Sequence, residues 1–418
     1  MRETSLDYRR PHRPRAVQLA NRVGARLERV GVRASLDPDD LMRAAQRRTG
    51  LTDFGPPSVR EPLEVLVRSI EDEARLHPIG RLITRERLIG VLTNRLRVAR
   101  ELARDPRIEA MELAPPIVIT GLQRTGTTLL HRVLGSDPRL RWLASWEAIQ
   151  PAPASRERRI ANAERAERAL AYLAPDFFAI HPVEAHAPEE EVLLLDYTLL
   201  STVPEATLRV PTYSRWVEEQ DQRPAYRYLR TLLRVLSAQR GAGKRWLLKT
   251  PHHLEWLDTL LEVFPGARVI WTHRDPATTL GSFCSMIAHG RGVFSDDVDP
   301  VEIGASWGAK VERLVNRAMD ARERAPAGAF HDVRYEDLVR DPIGEVRRIY
   351  AFLGESLPPH VESRMRATLS ASPQHRHGVH RYRLADFGLT EDAVRSRFAR
   401  YRALFGLDER APAPDPAG

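Results

Sequence analysis

The chain has 418 residues, of which 42% are hydrophobic and 29% charged, and its formal net charge is +8. This is the composition of a globular protein with a sizeable core. The single cysteine, Cys284, excludes an intramolecular disulfide and a cysteine-based metal cluster. No apolar run approaches the roughly 20 residues that span a bilayer. The basic N-terminal segment lacks the apolar stretch of a signal peptide, so we expect a cytoplasmic protein without integral membrane association.

The excess of basic residues does not by itself indicate a nucleic-acid partner. Only three of the 64 basic residues are lysines, which indicates a preference for arginine along the whole chain. Acidic residues are interleaved with the arginines, whereas nucleic-acid binding favours a clustered basic stripe. A lysine that persists where arginine is the default indicates a position that needs a compact charge able to lend a proton. The three lysines are Lys244, Lys249 and Lys310.

The first quarter of the chain predicts helices. A flexible segment over 1–15 is followed by helical spacing from 16 to about 108, and we expect the region 16–113 to pack on the core. One later helix of this region is expected to be capped by Thr84. The first helix carries an apolar stripe that is expected to pack on neighbouring helices: Val17, Leu19, Val23 and Leu27.

From Ala114 onward, strands alternate with helices. Helical spacing follows each of four short apolar runs, PPIVIT, RWLLKT, ARVIWTH and AFHDVRY. This alternation predicts an α/β fold with a three-layer, P-loop-like core and a central parallel sheet over 114–406. A mostly helical insertion interrupts the core at about 151–240. A disordered tail is expected over 407–418.

The strongest motif lies where the first strand meets its helix. Gly121 and Gly126 are separated by four residues, and Thr127 and Thr128 then open the helix. This is the spacing of a phosphate loop, whose backbone N–H groups and helix N-terminus bind an anion. The sequence therefore predicts a phosphate-binding site at the end of the first strand.

The loop departs from that of nucleoside-triphosphate hydrolases in two ways. Thr127 stands where those enzymes place a lysine, and the cation is supplied by Arg124 instead. The strand ARVIWTH ends in His273-Arg274 rather than in an aspartate that would support magnesium. Both departures argue against a nucleotide kinase-like enzyme, which is the alternative function for this architecture.

Two motifs in register resemble the sulfotransferases that use 3′-phosphoadenosine 5′-phosphosulfate (PAPS). GLQRTGTTLLHRVL resembles their 5′-phosphosulfate loop, and Arg274 and Ser282, eight residues apart, resemble their 3′-phosphate site. LLKTPHHLEWLDTLLEVFPGARVIWTHRDP and RYEDLVRDP resemble bacterial members, and an arginine at Arg124 is similar to tyrosylprotein and many bacterial sulfotransferases. The resemblance implies transfer of a sulfuryl group from PAPS, without a metal, to a hydroxyl or amine acceptor. A non-catalytic nucleotide-binding relative is a further alternative.

The resemblance also implies the site residues. The acceptor is expected to be a small molecule, a lipid or a carbohydrate, and the segment HPVEAHAPEE is expected to line its pocket rather than to bind a metal. A basic loop at Arg376, His377 and Gly378 is expected to close over the 3′-phosphate. The cofactor-binding residues implied are Gly121, Leu122, Gln123, Arg124, Thr125, Gly126, Thr127, Thr128, Arg274, Ser282 and Arg376.

The implied catalytic residues are Arg124, Lys249, Glu147 and His252. Lys249 is expected to lie beside the phosphate loop and, with Arg124, to stabilise charge in a loose in-line transition state. Glu147 lies about where tyrosylprotein sulfotransferases place a catalytic glutamate. His252 lies one residue beyond the base histidine of the cytosolic branch. Glu147 is slightly favoured as the general base, and the alternatives are that His252 caps a helix and that Glu147 pairs with an arginine.

Overall fold

A central sheet of five parallel strands organises the computed structural model, which describes residues 4–241, 243–371 and 380–407. The strands are arranged in the order β2-β3-β1-β4-β5, and all pairings are parallel. Four of the five coincide with the apolar runs in the sequence. Their bounds are β1 Ile117–Gly121, β2 Leu140–Arg141, β3 Arg245–Lys249, β4 Arg268–His273 and β5 Phe330–Arg334.

Helices precede the sheet, connect its strands and follow it. The N-terminal group comprises α1 Arg15–Arg29, α2 Pro38–Thr49, α3 Arg60–Glu73, α4 Pro78–Arg104 and α5 Arg107–Ala110. Between β1 and β3 lie α6 Thr127–Leu134, α7 Ser145–Ile149, α8 Arg156–Leu173, α9 Pro175–Ile180, α10 Val192–Leu195, α11 Val203–Thr207, α12 Pro211–Glu219 and α13 Arg223–Arg240. The remainder are α14 Leu257–Val263, α15 Pro276–Gly292, α16 Pro300–Arg324, α17 Tyr335–Arg340, α18 Pro342–Leu353, α19 Pro359–Ser370, α20 Glu391–Arg397 and α21 Ala399–Leu404.

The two faces of the sheet bury separate apolar clusters. Ile117 and Ile119 of β1 join a cluster with residues of α6, α18 and α19. Val118, between them, points to the larger cluster that contains α13 to α16 and the N-terminal helices. Successive side chains of a strand point to opposite faces, and burial on both faces explains why β1 is apolar at consecutive positions. The predicted α/β fold with a layered core is confirmed.

Several predicted boundaries in the N-terminal part differ from the structure. α4 begins at Pro78 rather than at Thr84, because His77 Nδ1 accepts a hydrogen bond from Gly80 N at 2.8 Å and caps the helix. Thr84 lies inside the helix and its hydroxyl donates to the Gly80 carbonyl. The segment before α1 is not free of the core, since Tyr8 is buried and its hydroxyl donates to Ser285 Oγ at 3.2 Å.

The apolar stripe of α1 is not buried, contrary to the sequence-based expectation. Leu19, Val23 and Leu27 are 63%, 48% and 45% exposed, and no residue of α1 is buried. Two helical stretches in the C-terminal half of the chain are interrupted. A 3₁₀ turn over Pro251–Glu255 precedes α14, and the last helical stretch is divided into α20 and α21 at the buried Phe398. The predicted tail lies outside the described residues except for Leu407. Among the helices of the described residues, none combines the length and the apolar composition needed to cross a bilayer.

Candidate active site

The carboxyl ends of β3, β1 and β4 bring the predicted motifs together. Ile119 of β1 lies beside Lys249 of β3, and Gly121 lies beside Thr272 of β4. The loop that follows β1 is therefore flanked by Lys249 on one side and by Arg274 on the other. In open α/β sheets this edge is where ligands bind. The prediction that Lys249 ends a strand beside the phosphate loop is confirmed.

The loop between β1 and α6 is tightly wound. Arg124 and Gly126 have positive φ angles of 69° and 88°. A Cβ atom on Gly126 would lie 2.8 Å from a methyl carbon of Leu338, so this position requires glycine for both space and conformation. Thr125 is buried, and its hydroxyl contacts Leu122 O and Thr272 Oγ1, each at 2.6 Å. Thr125 therefore braces the loop internally, while its neighbours face the adjacent cavity.

A cavity of about 480 Å³ begins at this loop. Five of the eight predicted loop residues line it, namely Gln123, Arg124, Gly126, Thr127 and Thr128. Its remaining walls are mainly apolar and come from α9, α11, α15 and α16. Prominent among them are Phe177, Ile180, Phe283, Met286, Ile287 and Trp307. The predicted phosphate loop and an apolar chamber thus open into one space, and such clefts with a few polar groups are typical of ligand sites.

Arg274, a residue of the predicted 3′-phosphate site, contacts the loop that is predicted to bind the 5′ end. Its Nη1 donates to the backbone oxygen of Arg124 at 3.2 Å, and its guanidinium lies 4.0 Å from the ring centroid of Tyr335. Ser282 is buried in α15, where its hydroxyl lies 3.2 Å from His380 Nδ1. The sequence did not assign His380 to this position. Arg376, His377 and Gly378 lie outside the described residues.

Lys249 is buried and paired with a carboxylate. Its Nζ donates to Glu190 Oε1 at 2.5 Å, and Thr250 Oγ1 donates to Glu190 Oε2 at 3.1 Å. Burial raises the pKa of Glu190, but the charge and the hydrogen bond of Lys249 outweigh it, so the net pKa lies below its ordinary value. Glu190 and Thr250 line the cavity. The Glu190 carboxylate therefore stands at the cavity wall, whereas Lys249, its hydrogen-bond donor, does not belong to the cavity lining.

The adjacent histidines after β3 have different surroundings. His253 is fully buried between Glu191 Oε1, at 2.6 Å from Nε2, and the Tyr226 hydroxyl, at 2.8 Å from Nδ1. His252 lines the cavity, its Nδ1 lies 3.1 Å from Thr202 Oγ1, and its Nε2 has no hydrogen-bond partner within the described residues. Burial, with the nearby His253 and Lys310, holds the pKa of His252 well below its ordinary value. The imidazole is therefore neutral near pH 7, with one nitrogen available as a proton acceptor.

Glu147 is buried away from the cavity. Its Oε2 accepts hydrogen bonds from Ala144 N at 3.0 Å and from Arg240 Nη1 at 2.9 Å. It does not belong to the cavity lining. The carboxylate thus fixes the start of α7 and pairs with an arginine, which is the alternative that the sequence left open for this residue.

Two cavity residues have no catalytic assignment in the sequence analysis, Glu190 and Lys310. Lys310 of α16 lies within ion-pair distance of Glu205 at 2.5 Å, Glu218 at 3.2 Å and Glu255 at 3.8 Å. Burial lowers the pKa of Lys310, but these carboxylates outweigh it and raise the net pKa above its ordinary value. The scarcity of lysine marked Lys310 in the sequence, but nothing there assigned it to this site. Of the predicted acceptor segment, His181 and Glu190 line the cavity, whereas His186 pairs with Glu164 outside it.

Comparisons with known proteins agree with this arrangement. A family model described as the Sulfotransferase family matches residues 115–359. Two curated relatives, the omega-hydroxy-beta-dihydromenaquinone-9 sulfotransferases Stf3 of Mycobacterium bovis and Mycobacterium tuberculosis, are each 29% identical over 252 residues. The match covers 57% of this chain and 63% of each relative, so it spans less than two thirds of their length.

Two solved structures match over most of the chain. Sulfotransferase STF1 of Mycobacterium tuberculosis H37Rv is 34% identical with a TM-score of 0.74, and covers 87% of this chain and 98% of its own. Sulfotransferase STF9 of Mycobacterium avium is 30% identical with a TM-score of 0.81, and covers 88% and 97% respectively. Because the family model matches residues 115–359, more than half of the chain, and these two structures match over most of it, the chain belongs to the sulfotransferase family.

Proposed function

We propose that this protein transfers a sulfuryl group from PAPS to the hydroxyl group of an apolar, lipid-like acceptor. The observation that carries the proposal is the cavity of about 480 Å³ that joins the phosphate loop to an apolar chamber. His252 lines that same cavity with one ring nitrogen free of partners among the described residues. The elements needed for donor binding, acceptor binding and proton removal therefore share one space.

The residues around the loop fit a nucleotide with phosphates at both ends of its ribose. The tight turn from Gly121 to Gly126 and the N-terminus of α6 suit the 5′ end, where Arg124 adds a charge-assisted contact. Arg274 and Ser282, at the next strand and helix, suit the 3′-phosphate. When bound, PAPS supplies an activated sulfuryl group whose leaving group is a nucleotide phosphate.

Proton removal is assigned to His252. The proposed step forms a bond between the acceptor oxygen and sulfur, and breaks the bond between sulfur and the oxygen of the 5′-phosphate. The acceptor proton moves to His252 Nε2, and the electron pair of the broken bond leaves with adenosine 3′,5′-bisphosphate. Thr202, at Nδ1, holds the ring in the tautomer that leaves Nε2 free. Glu147 is less suited, since Arg240 and the start of α7 occupy its carboxylate.

Arg124 and Lys249 supply the positive charge that the transition state needs. Arg124 lines the cavity at the loop, and Lys249 stands behind Glu190 at the neighbouring strand. Charge on the sulfuryl oxygens and on the leaving phosphate grows during an in-line transfer, so fixed cations lower the barrier. Glu190 keeps the Lys249 ammonium in place. Its negative charge offsets the positive charge of Lys249 before the donor binds.

The apolar walls of the cavity support an apolar acceptor. Phe177, Phe283, Met286 and Trp307 contribute large apolar surfaces, and the named acceptor of the curated relatives is a hydroxylated menaquinone derivative. Burial of each methylene stabilises binding by about 0.8 kcal/mol, or about fourfold in affinity. We therefore expect kcat/KM for primary alcohols to rise about fourfold per added methylene until the chamber is filled.

Calorimetric titration separates the proposal from the kinase-like alternative. Adenosine 3′,5′-bisphosphate is expected to bind without magnesium and more tightly than ADP or ATP. A preference for ATP that depends on magnesium would contradict the proposed donor.

The acceptor is tested by measuring how kcat/KM depends on the chain length of the alcohol. Val203→Thr in the cavity should weaken this dependence, whereas Val301→Thr, at a half-exposed position outside the cavity, should not. Equal flattening by both variants would contradict the assignment of the chamber.

A further inference from the structure

The outer surface of α1 is an apolar stripe that the rest of the protein leaves uncovered. Leu19, Val23 and Leu27 recur at helical spacing and are each about half exposed or more, and Val30 and Val32 just beyond the helix are 74% and 60% exposed. Single exposed apolar residues are ordinary, but five within fourteen residues, three of them at i, i+4 spacing on one face of α1, are a concentration of exposed apolar surface. We refer to these five residues as the α1 stripe.

The opposite side of α1 is fixed against the protein. Asn21 Oδ1 accepts a hydrogen bond from Ile79 N at 3.0 Å, at the start of α4. Gly24 lies so close to Pro78 that a Cβ atom there would stand 2.5 Å from Pro78 Cβ. Glycine thus permits close packing of the two helices. The contact with α4 determines which side of α1 faces outward, so the exposure of the stripe is built into the fold.

Positive charge borders the stripe. Arg15, Arg22, Arg26 and Arg29 are exposed on α1, and none of the four pairs with a carboxylate within the described part of the chain. Glu28 is the one acidic residue of α1, and it is half-buried. A helix with an apolar face, an arginine-rich border and no opposing acid on that face fits the boundary between the headgroups and acyl chains of an anionic bilayer.

We propose that α1 is an interfacial helix that binds this protein to the surface of a membrane containing anionic lipid. A second copy of the chain fits this surface poorly. In a twofold dimer the same patch meets itself, so the interface would gather eight arginines that have no carboxylate partner in the described residues. An anionic lipid surface neutralises the same charges while it buries the stripe.

The segment just before α1 lies close to the cavity of the candidate active site. Pro11, His12 and Arg13, just before α1, share a small cavity with Phe177 of α9. Phe177 also lines the large apolar cavity. A bilayer held by α1 would thus lie near the wall through which an apolar acceptor could be supplied. This last step rests on the proposed function, whereas membrane binding by α1 does not.

Vesicle co-sedimentation of the full chain tests the proposal. We expect binding to vesicles of phosphatidylcholine mixed with phosphatidylglycerol, and weaker binding to phosphatidylcholine alone. Combining Leu19→Glu, Val23→Glu and Leu27→Glu should weaken binding to the mixed vesicles by about tenfold or more. Replacing the four arginines with glutamine should remove the dependence on anionic lipid. Leu404→Glu, at a 55% exposed position on α21, is the matched control and should bind like the unmodified chain.

Several results would overturn the proposal. The first is failure of the unmodified chain to bind mixed vesicles, and the second is equal binding by the triple-glutamate variant. The third is a dimer in analytical ultracentrifugation that the triple variant dissociates, together with absence of vesicle binding, which would identify a second copy as the occupant. Titration with adenosine 3′,5′-bisphosphate in the absence of vesicles is run on every variant. An unchanged thermal unfolding midpoint shows that the fold of a variant is intact, and the nucleotide titration then reports the proposed function separately from membrane binding.

Discussion

Arg274 Nη1 donates a hydrogen bond to the backbone oxygen of Arg124 at 3.2 Å, and the same guanidinium stacks 4.0 Å from the ring centroid of Tyr335. The residue assigned to the 3′-phosphate therefore also supports the loop assigned to the 5′ end of the nucleotide. The bond joins the ends of two adjacent parallel strands, β1 and β4. Occupation of one phosphate position should consequently affect the geometry of the other.

Arg274→Ala is expected to remove the preference for nucleotides with a 3′-phosphate. Loss of a charged hydrogen bond costs about 1.5–3 kcal/mol, or about 10- to 100-fold in affinity for adenosine 3′,5′-bisphosphate. The affinity for AMP should fall less, since only support of the loop is lost. Titrations with both nucleotides measure the difference. Arg274→Lys keeps the charge but not the stacked plane, so it should be intermediate. A preference that survives in the alanine variant would mean that the 3′ site lies elsewhere.

Arg124→Ala should weaken the binding of adenosine 3′,5′-bisphosphate and of AMP by similar factors. Arg124 lies at the turn of the loop with its side chain exposed to the cavity, where it would contact the 5′ end that the two ligands share. A loss of about 10- to 100-fold is expected for each from the missing charged contact. Thermal unfolding should change little because the side chain is exposed. Unchanged affinity would contradict the phosphate-loop assignment.

His252→Ala is expected to lower kcat by about 10²- to 10⁴-fold while nucleotide affinity stays unchanged, because the variant lacks a proton acceptor. The rate of the unmodified protein should fall in acid as the imidazole gains a proton, and the variant should lose this dependence. Thr202→Val is the matched positioning variant, since it removes only the partner of Nδ1. It should show a smaller loss with the pH dependence retained. A near-normal kcat in His252→Ala would exclude His252 as the base.

Glu147→Gln should affect stability rather than catalysis. The carboxylate is buried and shared by Ala144 N and Arg240, so removal of its charge should destabilise folding by about 2 kcal/mol. Urea unfolding measures this change, and kcat of the folded variant should stay close to that of the unmodified protein. A fall in kcat of about a hundredfold at unchanged stability would instead make Glu147 the base.

Local signals in the sequence were sufficient to predict the fold and the position of Lys249 and Arg274 beside the loop that follows β1. β1 is apolar at consecutive positions, and the glycine spacing that follows it can be satisfied only by a tight turn. The parallel register then places Lys249 and Arg274 beside that turn. These features depend on residues that are close in sequence or on the geometry of neighbouring strands, which the alternation of strands and helices already predicts.

The ion pairs around the cavity depend on contacts between segments that are distant in the sequence, and the sequence gives little indication of these contacts. Glu190 reaches Lys249 across 59 residues, and Lys310 reaches Glu205 from a different helix. His252 and His253 are adjacent and alike in sequence, yet only the surrounding side chains distinguish the cavity residue from the structural one. The pattern of α1 shows the same limit, since helical spacing of apolar residues is common to a buried helix and to one that binds an external surface.

Stability should fall in acid through His131, which lies in α6 directly behind the phosphate loop. Burial and the charge of Lys249 lower its pKa to about 3, and its Nε2 has no partner within the described residues. The unfolded chain gains a proton at this residue below pH 6.5, whereas the folded protein does not until about pH 3.

The contribution of the neutral His131 to the free energy of unfolding is therefore complete above pH 6.5. Below that pH it is lost at about 1.4 kcal/mol per pH unit as the pH falls. Urea unfolding measures how much the free energy of unfolding falls between pH 7 and pH 5, which we call the acid loss. His131→Leu should reduce this acid loss by about 2 kcal/mol. His186→Leu, which makes the same replacement at an exposed histidine paired with Glu164, is measured beside it. An acid loss in His131→Leu equal to that of the unmodified protein would show that His131 is not the buried neutral group responsible.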